Sequence, residues 1–147
     1  MDDIPFSAEN VEKYINDVVG VRIICSFNSD IYDLIDILRN SSLIKIVHEK
    51  DYITNPKKSG YRSYHLIVEV PVELINGKYN VRAEIQIRTL ALDLWASLNH
   101  KLVYKADYSS AYIDGKLKMI GDELNSIDNE MTELFDLQTK IREKTEL

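Results

Sequence analysis

AEIQIRT, residues 83–89, alternates strictly: Ala83, Ile85 and Ile87 fall on one side, Glu84, Gln86 and Arg88 on the other. A strand does this when one face is buried and the other polar. The row of Glu84, Gln86 and Arg88 is therefore either a solvated sheet face or the wall of a site. What flanks it decides between them.

Upstream, residues 62–70 alternate in the same way, with Tyr64, Leu66, Val68 and Val70 on one face and Ser63, His65, Ile67 and Glu69 on the other. Asn76-Gly77 predicts a tight hairpin turn, so residues 79–88 return antiparallel to this strand. Downstream, Thr89 is a candidate N-cap for a helix over residues 90–104. Further out, GVRIICSF (20–27) predicts a buried strand. Ser29 or Asp30 is placed to cap a helix to residue 39, and 44–53 is a second strand region. Ser7 begins a short N-terminal helix, and NPKKSG (55–60) is a loop. Residues 107–114 look like a linker before a final helix over 115–144. In that helix Leu117, Ile120, Leu124, Ile127, Met131, Leu134 and Ile141 form a seam with a period near 3.5, interrupted at Gln138. The seam suits packing on the sheet and a subunit interface equally. The fold class is α+β (mixed α/β): a mixed, largely antiparallel sheet flanked by helices, with a long C-terminal helix.

The 147 residues suit a single domain, and 45% hydrophobic with 29% charged residues is a globular composition. The single cysteine, Cys25, excludes a disulfide framework and sits in an apolar run. A net charge of −6 argues against a general nucleic-acid binder, but leaves room for a local basic patch. No stretch is long and apolar enough for a membrane span and the N-terminus does not resemble a signal peptide, so a cytoplasmic protein is the default.

Several residues stand out as candidates for chemistry. Asp17 precedes the first strand, and Arg22 interrupts its apolar run. Lys50, Lys57 and Lys58 surround a glycine-containing loop that ends at Tyr61. Ser63 and His65 lie beside Glu84, Gln86 and Arg88. Carboxylates for Mg²⁺, cations for phosphate and an aromatic plate for a base together suit a nucleotide. Each alone has a bland structural explanation; only the combination carries weight. Neither GxxxxGK[ST] nor GxGxxG is present.

DVVGVRIICSF, PKKSGYRSYHLIV and AEIQIRTLALDLWASLNHKLVYK, taken in order, closely resemble the synthetase domain of RelA/SpoT-type alarmone synthetases, and the short chain resembles their small, single-domain members. The resemblance implies a nucleotidyltransferase-like synthetase fold over residues 1–106, with 107–147 as linker and packing or oligomerisation helix. It implies transfer of the β,γ-pyrophosphate of ATP to the 3′-hydroxyl of GDP or GTP, with Mg²⁺ as cofactor, and a homo-oligomer, tetrameric in the family. Position by position, Asp17 and Glu84 would hold the metal, Glu84 also serving as base. Arg22 would stack on adenine, and Lys50 and Lys57 would meet phosphates. Tyr61 would stack on guanine, with Ser63, His65 and Gln86 around the acceptor nucleotide and Asp93 and Ala96 at the guanine edge.

This sequence departs from the family pattern in several places. The family carries an earlier strand with an arginine and a lysine that grip ATP, whereas Lys13 is the only cation before Asp17 here. The expectation is a fragment or truncated form. Loss of two charge-assisted contacts would weaken ATP binding by roughly several orders of magnitude. Lys50 stands for a frequent arginine, Ser59 for asparagine and Asn99 for glutamate. Two other functions stay open: a non-catalytic guanine-nucleotide-binding or oligomerisation module, and a tRNA 3′-end pyrophosphokinase.

Overall fold

The computed structural model describes residues 19–75, 77–104 and 111–145. Asp17, the helix expected after Ser7, Asn76 of the hairpin turn and residues 107–110 of the expected linker lie outside these residues. The elements are β1 (Val19–Cys25), α1 (Asn28–Arg39), β2 (Lys45–Asp51), β3 (Tyr64–Leu74), β4 (Gly77–Thr89), α2 (Leu90–Asn99) and α3 (Ala111–Thr145). A single π-helical turn, His100–Tyr104, follows α2.

The sheet order is β1-β4-β3-β2. β4 pairs parallel with β1 and antiparallel with β3, and β3 pairs antiparallel with β2. The sheet is thus mixed and largely antiparallel, as the sequence pattern predicts. β1 meets β4 only from Ala83 onward, and β2 meets β3 only as far as Glu69. Beyond those points, Val70–Leu74 and Gly77–Val81 pair with each other as a two-stranded arm. Gly77, at its tip, has φ +142°, a conformation that side chains with a Cβ rarely adopt.

Alternation divides the sheet into two faces. Ile87, Leu66, Val68, Tyr64 and Ala83 line the apolar face and are buried beneath Ile31 and Ile35 of α1, with Leu92 of α2 closing one end. Burying such side chains contributes about 1.5–3 kcal/mol each, so this face fixes the strand register. α1 starts without the side-chain cap expected from Ser29 or Asp30. Phe27 occupies the cap position, and the Asp30 carboxylate accepts its backbone N–H at 3.0 Å. At the other end Arg39 grips Glu49 of β2 at 2.7 Å.

A second, smaller core joins α2 to α3 through Trp95, Ala96 and Leu117, with Tyr61 and Leu124 packed against it. The Trp95 indole donates to the Leu117 carbonyl at 2.7 Å. The helix begins at Ala111, four residues before the expected start. Its packed face runs through Leu117, Gly121, Leu124 and Asp128. Ile120, Ile127, Met131, Leu134 and Ile141 of the seam are exposed.

Candidate active site

The polar face of the sheet gathers most of the expected site residues. Gln86 of β4 is flanked by Arg22 of β1 and His65 of β3, and His65 is flanked in turn by Lys50 of β2. Directly paired residues share a face, so four strands present these side chains together. Glu84 lies two residues before Gln86, opposite Gly20 and Ile67. Lys57 and Tyr61 come from the loop between β2 and β3. Gly60 turns that loop at φ +89° and lies against α3: an added Cβ would meet the Lys118 Cα at 3.2 Å.

Hydrogen bonds close these side chains into a ring. Glu84 Oε1 lies 2.8 Å from His65 Nδ1, and His65 Nε2 lies 2.8 Å from Tyr61 Oη. Arg88 Nη2 donates to Tyr61 Oη at 2.6 Å and to Gln86 Oε1 at 3.1 Å. The Gln86 amide donates to Glu84 Oε2 at 3.0 Å, which completes the circuit. Only one set of proton positions satisfies every member with a neutral histidine. Arg88 donates to Tyr61, Tyr61 to His65 Nε2, and His65 Nδ1–H to Glu84. Burial holds the His65 imidazole below the ordinary histidine range despite the pull of Glu84, and the positive charges of Arg88 and Lys57 act in the same direction as burial. His65 is therefore neutral at physiological pH and does not cancel the Glu84 charge.

Tyr61 is the centre of an aromatic and cationic cluster. The Arg88 guanidinium lies 5.1 Å and Lys57 Nζ 5.0 Å from its ring centroid. The rings of Tyr52 and His65 meet it edge-on at 6.1 and 5.8 Å, and Trp95 lies behind at 6.4 Å. Asp93, in the first turn of α2, accepts a hydrogen bond from Arg88 at 3.1 Å and is ion-paired with Arg22 at 3.4 Å, both through Oδ1. Thr89 caps that helix as expected, accepting the Leu92 N–H at 3.2 Å.

Two expected site residues sit differently from the sequence expectation. Ser63 is fully buried rather than on an open face. Its hydroxyl donates to the Ile87 carbonyl at 3.2 Å and accepts from Arg88 Nε at 3.3 Å. Ala96 is buried against Trp95 and Leu117. Arg22, Lys50 and Lys57 are exposed. Sequence reasoning missed Tyr52, whose ring receives Lys57 at 4.8 Å, and the central place of Arg88. The one available signal was an arginine as the last polar residue of the alternating strand, directly before the Thr89 cap.

The donor set can be compared with Mg²⁺. Among the described residues no three histidine, cysteine, aspartate or glutamate side chains converge on one point. Mg²⁺ needs no such cage: it takes one or two carboxylates and completes its shell with water and phosphate oxygens. Each Glu84 oxygen receives one hydrogen bond and keeps lone-pair capacity, so the carboxylate fits a Mg²⁺ ligand.

The structure is thus a mixed four-stranded sheet with an apolar face under α1 and a polar face that brings a carboxylate, exposed cations and a tyrosine together. Residues 6–109 match the region found in RelA / SpoT proteins, and the chain belongs to that family. GTP pyrophosphokinase YwaC of Bacillus subtilis (strain 168) is 54% identical over 99 residues, which are 67% of this chain and 47% of that protein. The chain thus spans about half the length of this relative. Small alarmone synthetase 2 from Bacillus subtilis superposes with a TM-score of 0.81 at 46% identity, over 84% of this chain and 67% of that one. Small alarmone synthetase 1 from the same organism, bound to its product pppGpp, gives 0.82 at 36% identity, over 87% and 66%. Among the described residues no helix is long and apolar enough to cross a membrane.

Proposed function

We propose that this chain carries the catalytic unit of a (p)ppGpp synthetase, moving the β,γ-pyrophosphate of ATP to the 3′-hydroxyl of GDP or GTP. The observation that carries this is the seat of Glu84: a carboxylate on the open face, steadied from both sides by a neutral His65 and by Gln86. A carboxylate held this way can take the 3′-hydroxyl proton as the oxygen–phosphorus bond forms.

The remaining roles are those that the family resemblance implies, and the shared polar face of the sheet supports them. Arg22, exposed at the β1 edge, stacks on adenine, and Lys50 and Lys57 meet phosphates. Tyr61 supports guanine, and His65 and Gln86 border the acceptor. Asp93 accepts from the guanine edge, with Ala96 beneath it in the same helix. Ser63 contributes through Arg88. Mg²⁺, held by Glu84 with Asp17, supplies neutralisation of phosphate charge. Transfer of this kind depends on alignment and electrostatics more than on covalent chemistry, which is what a prearranged ring of side chains supplies. We place the protein in the cytoplasm and assign residues 1–106 to the synthetase unit. Residues 107–147 carry packing and self-association into a homo-oligomer, a tetramer in this reading.

Incubation with labelled ATP, Mg²⁺ and GDP or GTP tests the proposal. Formation of (p)ppGpp, reduced about 10²–10⁴-fold by Glu84→Gln, supports it. Saturable GDP binding without product, lost in Tyr61→Ala, would assign a non-catalytic nucleotide-binding module instead. Label on tRNA would assign the tRNA-modifying activity.

A further inference from the structure

Arg88 is 4% exposed, and a charge buried to that degree is costly unless each of its donors is matched. Its Nε meets Ser63 Oγ, Nη1 meets Asp93 Oδ1, and Nη2 meets both Tyr61 Oη and Gln86 Oε1. These partners come from the 52–63 loop, from β4 itself and from the first turn of α2. One guanidinium therefore fixes three chain segments against one another.

We propose that Arg88 is a positioning residue for the acceptor nucleotide. It touches no nucleotide itself and sets the poses of Tyr61, Gln86 and Asp93 together. This rests on the synthetase reading above, in which those three side chains meet the guanine nucleotide. An arginine that meets substrate needs an open approach, as Arg22 has with its side chain 51% exposed, whereas the Arg88 side chain is 5% exposed. The planar fork is the reason for the residue type: its donors diverge in one plane toward fixed partners, whereas a lysine ammonium is a compact point charge with three donors. The influence extends beyond these direct partners. Two donor chains leave Arg88, one through Tyr61 and His65 and the other through Gln86, and both end on Glu84. The anchor at the other end is rigid, since Ser63 is fully buried and tied to the Ile87 carbonyl.

The test compares Arg88→Lys and Tyr61→Phe with the unaltered full chain, measuring GDP and AMPCPP affinity with Mg²⁺ by calorimetry alongside thermal melting. Arg88→Lys is expected to melt cooperatively and to bind GDP about 10–100-fold more weakly. Its AMPCPP affinity should fall by a clearly smaller factor than its GDP affinity, a split that a general loss of structure would not produce. Tyr61→Phe keeps the ring and removes the hydroxyl through which Arg88 holds it; GDP binding should weaken by about 3–10-fold. GDP affinity within about twofold of the unaltered chain in either variant overturns the proposal. Should Arg88→Lys fail to fold, Tyr61→Phe decides. Should the unaltered chain bind no GDP, the synthetase reading itself fails. Arg88 is then judged by the aromatic NMR signals of Tyr61 in Arg88→Lys: an unchanged ring environment overturns the positioning role, and a displaced one supports it.

Discussion

Gly121 of α3 lies so close to the indole of Trp95 that an added Cβ would stand 2.9 Å from its Nε1 and 3.4 Å from the Gly60 carbonyl. The indole cannot retreat, because it is buried and donates to the Leu117 carbonyl. The contact ties the C-terminal helix to the loop that carries Lys57 and Tyr61.

Gly121→Ala sets two effects against each other. Alanine gains about 0.5–1 kcal/mol of helix propensity over glycine, while overpacking a filled site costs about 1–3 kcal/mol. The second wins, and the variant should be less stable by about 1 kcal/mol, with altered Trp95 fluorescence. Gly115→Ala, in the same helix with nothing within 4 Å of the added carbon, is the control. It should gain about 0.5–1 kcal/mol. Denaturant melts of both variants check the opposite signs.

Asp128 gives a pH prediction. It is buried at 6% exposure and accepts the Thr89 hydroxyl proton, and burial pushes its carboxyl above the ordinary range. The folded state therefore keeps the Asp128 carboxyl protonated to higher pH than the unfolded chain does. The contribution is most favourable below the unfolded carboxylate range, near pH 4, and is lost as pH rises through the raised folded value. Asp128→Asn can still accept from Thr89 and carries no charge. Its melting temperature should rise by about 2–4 °C at pH 7.5 and gain little near pH 4.

Guanine selectivity is expected to depend on Asp93. A carboxylate can accept from both N1–H and the 2-amino group of guanine, and inosine lacks the second donor. The unaltered chain should prefer GDP over IDP, and Asp93→Ala should erase about 1–3 kcal/mol of that preference. Competition binding of the two nucleotides measures it. A preference that survives the substitution would remove Asp93 from the guanine edge.

The exposed stripe on α3 tests self-association. Ile127 and Leu134 are 55% and 60% exposed, so replacing them burdens the described fold very little. Ile127→Asp with Leu134→Asp should lower the mass measured by light scattering and leave the far-UV spectrum unchanged. An unchanged mass would take this stripe out of any interface.

Much of the fold was legible in the sequence because alternation is a direct record of burial. The pattern in 83–89 and 62–70 placed β4 and β3, and Thr89 marked the start of α2. The parallel pairing of β1 with β4 was not legible, since it depends on contacts far apart in the chain. The C-terminal seam located only part of the packed face, Leu117 and Leu124. Hydrophobic spacing counts large side chains, whereas the packed face of α3 uses Gly121 for close approach and Asp128 for a hydrogen bond, neither of which such a count can register. In the site, the residue types and their shared face were readable, but burial was not. Ser63 and Arg88 alternate with core residues as solvated side chains would, yet α2 and the 52–63 loop cover them.

The two-stranded arm beyond Arg82 has a practical consequence. Register in β4 is counted from the sheet, where Ala83–Thr89 pairs with β1, so residues added at the hairpin tip need not shift Glu84, Gln86 or Arg88. A single residue inserted within 83–89 would instead exchange the two faces of the strand. Ile75, fully solvent-facing at the tip, is thus a natural point to splice in an epitope or fluorophore handle for following the protein in cells, whereas the seven residues before α2 tolerate no change in length.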